Sequence, residues 1–251
     1  MINKTLISKF ALLFSLLFSM HSTVSAISYS NFAHNCHVKA ADSIYDVKES
    51  NLVAEIPEHN IKLYFAKDDK DFGMYRGFIL IINDVKKYFR WENVDGNRMP
   101  RLKLSDLDKD GKEELIVILN KGYGTGVQEE EVHVIKRDLF FYEILVENPL
   151  IPLYKNVQIE KSNEQIAIIL NNKKTVLNKK GMTALPYHDL GGGFGHHIRY
   201  EVNNNTLYSK VLLGVGTHPG VGEFLVKYKY KNEIFQVESI DFTPASLYLS
   251  K

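Results

Sequence analysis

Residues 75–91 read Tyr-Arg-Gly-Phe-Ile-Leu-Ile-Ile-Asn-Asp-Val-Lys-Lys-Tyr-Phe-Arg-Trp. Two apolar runs, Tyr75 to Ile82 and Val85 to Trp91, flank the pair Asn83-Asp84. β-Branched and aromatic side chains suit a pleated surface, and Asn and Asp tolerate the left-handed backbone of a two-residue hairpin turn. The stretch therefore predicts a β-hairpin.

The same reading extends in both directions. Upstream, Ile61, Leu63 and Phe65 alternate with polar neighbours, as on a half-buried strand. Downstream, Asp95-Gly96 marks a turn and Pro100 closes a linker. Leu115 to Leu119 is a strongly apolar run, followed by the glycine-rich segment Gly122 to Gly126. Glu131 to Arg137 then places Val132 and Val134 on one face and His133 and Ile135 on the other. Further hairpins are expected from Ile166–Leu170 with Thr175–Leu177 around 171–174, from Ile198–Val202 with Leu207–Leu213, and from Phe224–Tyr230 with Glu233–Ile240. Short β-rich runs with almost no 3.6-residue period predict an all-β protein of antiparallel hairpins, sandwich-like or a small, irregular propeller. An internal repeat supports this: Leu119, Gly122, Gly126, Val127, Glu129 and Val132 recur at a fixed offset as Leu213, Gly216, Gly220, Val221, Glu223 and Val226.

Residues 1–26 read as a cleavable signal peptide. Lys4 and Lys9 precede the apolar stretch Phe10 to Met20, and Val-Ser-Ala ends at Ala26. The apolar stretch is too short for a hydrocarbon core that needs about 20 residues. The expectation is a secreted or cell-envelope protein with one mature β-rich domain over 27–251. Within it, residues 27–50 are read as a flexible lead or a short helix around Val38 to Val47. Without the two signal lysines, 29 basic residues stand against 30 acidic ones, a net charge of −1. That balance gives no electrostatic reason for a nucleic-acid or anionic-membrane partner. Cys36 is the only cysteine, so no intrachain disulfide can form. Stiffness has to come from the core or from a bound ion.

The motif with specific chemistry is Asp106-Leu107-Asp108-Lys109-Asp110-Gly111-Lys112-Glu113-Glu114. Oxygen donors at its first, third, fifth and ninth positions converge if the chain curls, and glycine at the sixth allows the bend. Such an all-oxygen, flexible set suits Ca²⁺, which takes 6–8 ligands at about 2.4 Å. An EF-hand does not fit, because its twelfth position should be Glu and is Val117, and the flank is the strand-like run 115–119. The loop resembles the calcium loops of FG-GAP/VCBS-type repeats of integrin-like propellers, where this spacing leads into an apolar strand. That resemblance implies Asp106, Asp108, Asp110, the Lys112 carbonyl and Glu114 as ligands. The wider stretch Ile61 to Val134 is similar to small exported proteins of low-GC Gram-positive bacteria that carry one such loop.

Other constellations point to less. His188, Asp189, His196 and His197 flank a glycine run, but adjacent histidines on a strand face opposite sides and cannot both join a zinc site. The glycine segments at 122–126, 191–195 and 214–222 lack the following helix and Lys-Ser/Thr pair of a phosphate loop. Glu129 to Glu131 reads as a solvated loop, and no serine sits in a nucleophile elbow. The expectation is a non-catalytic role in binding an unidentified surface or extracellular ligand. The alternative is a secreted hydrolase of an envelope polymer or glycan, with loops 122–130, 188–197 and 214–222 forming its cleft.

Overall fold

The computed structural model describes residues 47–94, 98–124, 127–138, 140–178, 192–215 and 218–246. The expected signal peptide, Cys36, the helix expected around Val38, the Asp95-Gly96 turn, and His188 with Asp189 lie outside the described residues.

The first sheet is an antiparallel meander of β1 (Leu52–Ile56), β2 (Ile61–Asp69), β3 (Met74–Ile82) and β4 (Val85–Val94). The expected hairpin is its second half. Ile82 pairs with Val85, and Asn83 and Asp84 between them carry φ of 46° and 67°. Two consecutive left-handed residues make the mirror-image turn whose twist matches paired strands.

The remaining strands are β5 (Arg101–Ser105), β6 (Glu114–Gly124), β7 (Val127–Lys136), β8 (Tyr142–Ile144), β9 (Val157–Lys161), β10 (Gln165–Leu170), β11 (Lys173–Asn178), β12 (Gly192–Asn203), β13 (Thr206–Val215), β14 (His218–Lys231) and β15 (Ile234–Pro244). The α-helix α1 (Leu150–Asn156) precedes β9. Strands β9–β11 form a small antiparallel sheet. The large sheet runs in the order β15-β14-β13-β12-β7-β6-β5, with β8 also on β7. The turn device of β3–β4 recurs at Asn171-Asn172, Asn204-Asn205 and Asn232-Glu233, all with positive φ. The loop expected at 171–174 is thus only its first two residues, and β11 begins at Lys173. All three hairpins expected beyond residue 160 are present.

The architecture is all-β and sandwich-like. Sheets of four and three strands each pack on the eight-stranded sheet across an apolar core, as in a sandwich. One apolar core joins Val53, Leu63, Phe78, Leu80, Phe89 and Trp91 of the first sheet to Leu115, Val117, Leu119 and Ile135. A second joins Ile116, Ile118, Val132 and Val134 to Ile166 and Ile168 of the small sheet and to Phe194, Val211 and Phe224. The unbroken run Leu115–Leu119 is thereby explained: alternate residues of β6 feed opposite cores, so neither face meets water.

The strand β12 runs parallel to β7, with register pairs only at His197–Gln128 and Ile198–Glu129. Past that point side chains replace the ladder. Glu130 Oε2 accepts the Tyr200 N–H at 2.8 Å, and Lys103 Nζ donates to the Val202 carbonyl at 2.6 Å. Ser105 Oγ meets Asn205 Oδ1 at 2.8 Å. The reading of Glu129–Glu131 as a solvated loop is therefore wrong. They lie inside β7, and Glu130 is nearly buried because it finishes a neighbouring strand's hydrogen bonding. The repeat holds only coarsely. Both copies are hairpins, but Leu119 pairs with Glu131 whereas Leu213 pairs with Gly222, a different register.

Candidate metal centre

The acidic loop joins β5 to β6. Lys109 and Gly111 take left-handed φ of 65° and 88°, and these two residues curl the chain. Glycine adopts that conformation at no steric cost.

Each carboxylate uses one oxygen to shape the loop. Asp106 Oδ2 accepts the Gly111 N–H at 3.2 Å, Asp108 Oδ1 that of Asp110 at 3.1 Å, and Asp110 Oδ1 that of Lys112 at 2.8 Å. Glu114 Oε2 accepts the N–H groups of Leu107 and Asp108, at 2.8 and 3.3 Å. The second oxygens face one ammonium. Lys136 Nζ at the end of β7 pairs with Asp108 Oδ2, with Asp110 Oδ2 at 2.7 Å and with Glu114 Oε1 at 3.2 Å. Asp106 Oδ1 is shielded from solvent and has no hydrogen-bond partner.

Asp106, Asp108 and Glu114 each offer an oxygen, all within 4.8 Å of one another, and the trio can hold a metal ion. Glu114 is fully buried and the Asp108 side chain is 4 % exposed, so these charges need a cation. Asp110 reaches the group through Lys136. Lys112 is exposed and enters the loop as an amide donor. Burial works against the Lys136 charge, but Asp108, Asp110 and Glu114 outweigh it and raise its pKa. The hydrogen bond from Lys136, then that from the Lys112 amide, lowers the Asp110 pKa.

Sequence spacing identified the four acids and missed Lys136. The signal was available only through register. Leu115 pairs with Ile135, which sets Lys136 beside Glu114.

A second polar cluster lies under the first sheet. His133 stacks on Trp91, with ring centroids 4.3 Å apart and an interplanar angle of 20°. Its Nδ1 meets Glu143 Oε1 at 2.5 Å, and its Nε2 lies 3.6 Å from Glu131 Oε2. Burial depresses the imidazole pKa, yet Glu131 and Glu143 together leave it above the ordinary histidine value. His133 is thus packed against Trp91 and paired across strands with Glu143.

The glycine-rich segments converge. Gly124 pairs with Val127, Gly192 with Val215, and Val215 with His218, so the described parts of all three lie at one end of the large sheet. No family model matches the chain, and no curated protein or solved structure shows significant similarity to it.

Proposed function

We propose that this protein is an exported β scaffold, stiffened by Ca²⁺ in the 106–114 loop, whose role is to bind a surface or extracellular ligand. One observation carries the calcium reading. Four carboxylates each turn one oxygen to the loop's own backbone, three of the remaining oxygens meet a single ammonium, and the fourth has no partner. An ammonium has three N–H donors and satisfies three oxygens. A cation that accepts six or more oxygens suits the donor set better and uses the fourth. The donors are all oxygens, as a hard cation requires. The FG-GAP/VCBS-type reading of the loop rests on its spacing and on the strand that follows it.

Export fits this chemistry, since extracellular calcium modules work at dissociation constants of about 10⁻⁴–10⁻³ M. Among the described residues no helix is long and apolar enough to cross a membrane. A binding role, rather than hydrolysis, is supported at the glycine-rich end. There the acid Glu130 is already held by the Arg101 guanidinium at 2.8 Å, by Gln128 at 3.3 Å and by the Tyr200 N–H. The His133–Glu143 pair sits beneath Trp91, with His133 only 7 % exposed.

Thermal unfolding in calcium and in chelator tests the first part. At free calcium ten times the dissociation constant the gain is about 1.4 kcal/mol, or about 4 °C for a chain of this size. Asp108→Ala should abolish the difference, and an unchanged wild-type midpoint would overturn the calcium reading. Capture of ligand from envelope fractions, set against a hydrolase panel on envelope polymers and glycans, tests the second. Turnover without stable capture would favour the hydrolase.

A further inference from the structure

We infer that the notch at the glycine-rich end of the large sheet is a binding site for a neutral sugar unit, a compact ligand carrying several hydroxyl groups. The inference rests on the binding role proposed above and names the place and the ligand class.

The notch follows from strand lengths. β5 begins at Arg101, opposite Ile118, so β6 beyond Leu119 has no β5 neighbour. The fully buried Asn93 stands in: its Oδ1 accepts the Asn120 N–H at 2.7 Å, while its amide donates to the carbonyls of Val94 at 2.7 Å and Arg98 at 3.2 Å. This holds the incoming chain off the strand edge. The space left is a cavity of about 330 Å³, lined by Arg98, Met99, Arg101, Gln128 and Glu130 over Ile118. That is the lower end of small-molecule pockets, which run about 300–1,000 Å³.

Its chemistry is balanced. Arg101 pairs with Glu130 at 2.8 Å, and Arg199 nearby pairs with Glu223 at 3.6 Å. Arg98 has an interaction of its own. The Arg101–Glu130 pair in the lining is neutral as a unit and gives a charged ligand little net attraction. It does present fixed donors and acceptors side by side, and a hydroxyl is the group that both donates and accepts. Met99 and Ile118 offer apolar surface to the C–H face of a ring. Glu130 is the single carboxylate lining the cavity among the described residues, whereas glycoside hydrolysis ordinarily takes two.

The test is saturation-transfer NMR and calorimetry on the full chain with methyl glucoside, methyl galactoside, N-acetylglucosamine and glucuronate. At least one neutral sugar should bind with a Kd of about 1 mM or tighter. Gln128→Leu, which keeps the volume and removes the amide, should weaken it about tenfold or more with unchanged circular dichroism. Arg101→Met is the second variant and should do the same. Binding of glucuronate alone, or of no sugar, would overturn the inference. Undiminished binding in both variants would overturn the site while leaving a binding role elsewhere on the surface; failure of envelope capture as well would remove that role.

Discussion

Lys136 Nζ pairs with the Asp108 and Glu114 oxygens that the proposed ion would need. Lys136→Met therefore has two expected effects of opposite sign. In chelator the variant should lose about 3 kcal/mol by urea denaturation, the usual order for removing one partner of a largely buried ion pair. In a calcium titration it should bind at least about tenfold more tightly, because no ammonium has to be displaced. Equal affinities would show that Lys136 does not occupy the ion's place. His133 makes a separate prediction. Its pKa is raised on folding, against burial, by Glu131 and Glu143, with Lys121 beside Glu131. The stability it contributes is therefore full below the unfolded value near 6.5 and is lost as pH rises through the higher folded value. Urea midpoints measured from pH 5 to 9 should fall across that window in the wild type, and His133→Gln should flatten the step. At this scale the sequence was legible wherever partners are local. Asp106, Asp108, Asp110 and Glu114 lie within one loop, so spacing alone reveals them. Lys136, Glu130 and Asn93 act on residues 22 to 70 positions away, and no periodicity reports such a meeting.

Among the elements, legibility followed turn chemistry and length. The hairpins were readable because Asn pairs suit consecutive left-handed residues and apolar runs flank them. The strands β1, β5, β8 and β9 were not, being three to five residues long with mixed polarity. Helix α1 spans only seven residues, too few to display a 3.6-residue period; it starts after Pro149, with Asn148 Oδ1 accepting the Leu150 N–H at 2.9 Å. One strand carries a further test. At Gly77, φ is +69° and the β3–β4 register shifts between Arg76 and Phe78. An added Cβ there would lie 2.5 Å from Tyr88 Oη, whereas at Gly73, with φ of +59°, it would meet nothing within 4 Å. Both positions charge a side chain for left-handed backbone, about 1 kcal/mol or more, but only Gly77 adds the collision at a bulge. Gly77→Ala should lower the melting temperature clearly more than Gly73→Ala, and equal losses would remove the packing part of that account.

For the whole molecule, β6 belongs to both apolar cores and is entered directly from the acidic loop. A strand shared in this way couples the two halves of the sandwich. β6 cannot leave without exposing both cores. Its amides should therefore be among the slowest in the chain to exchange with deuterium, at a free energy equal to that of global unfolding. The amides of β9–β11, which lie on one side only, should exchange through smaller openings. An ion gripping residues 106–114 then acts at the doorstep of the slowest unit. Adding calcium should retard exchange along β6 and in both sheets that pack on it, well beyond the loop itself. The loop is in that sense a latch, and what it fastens is the one strand on which the two cores depend.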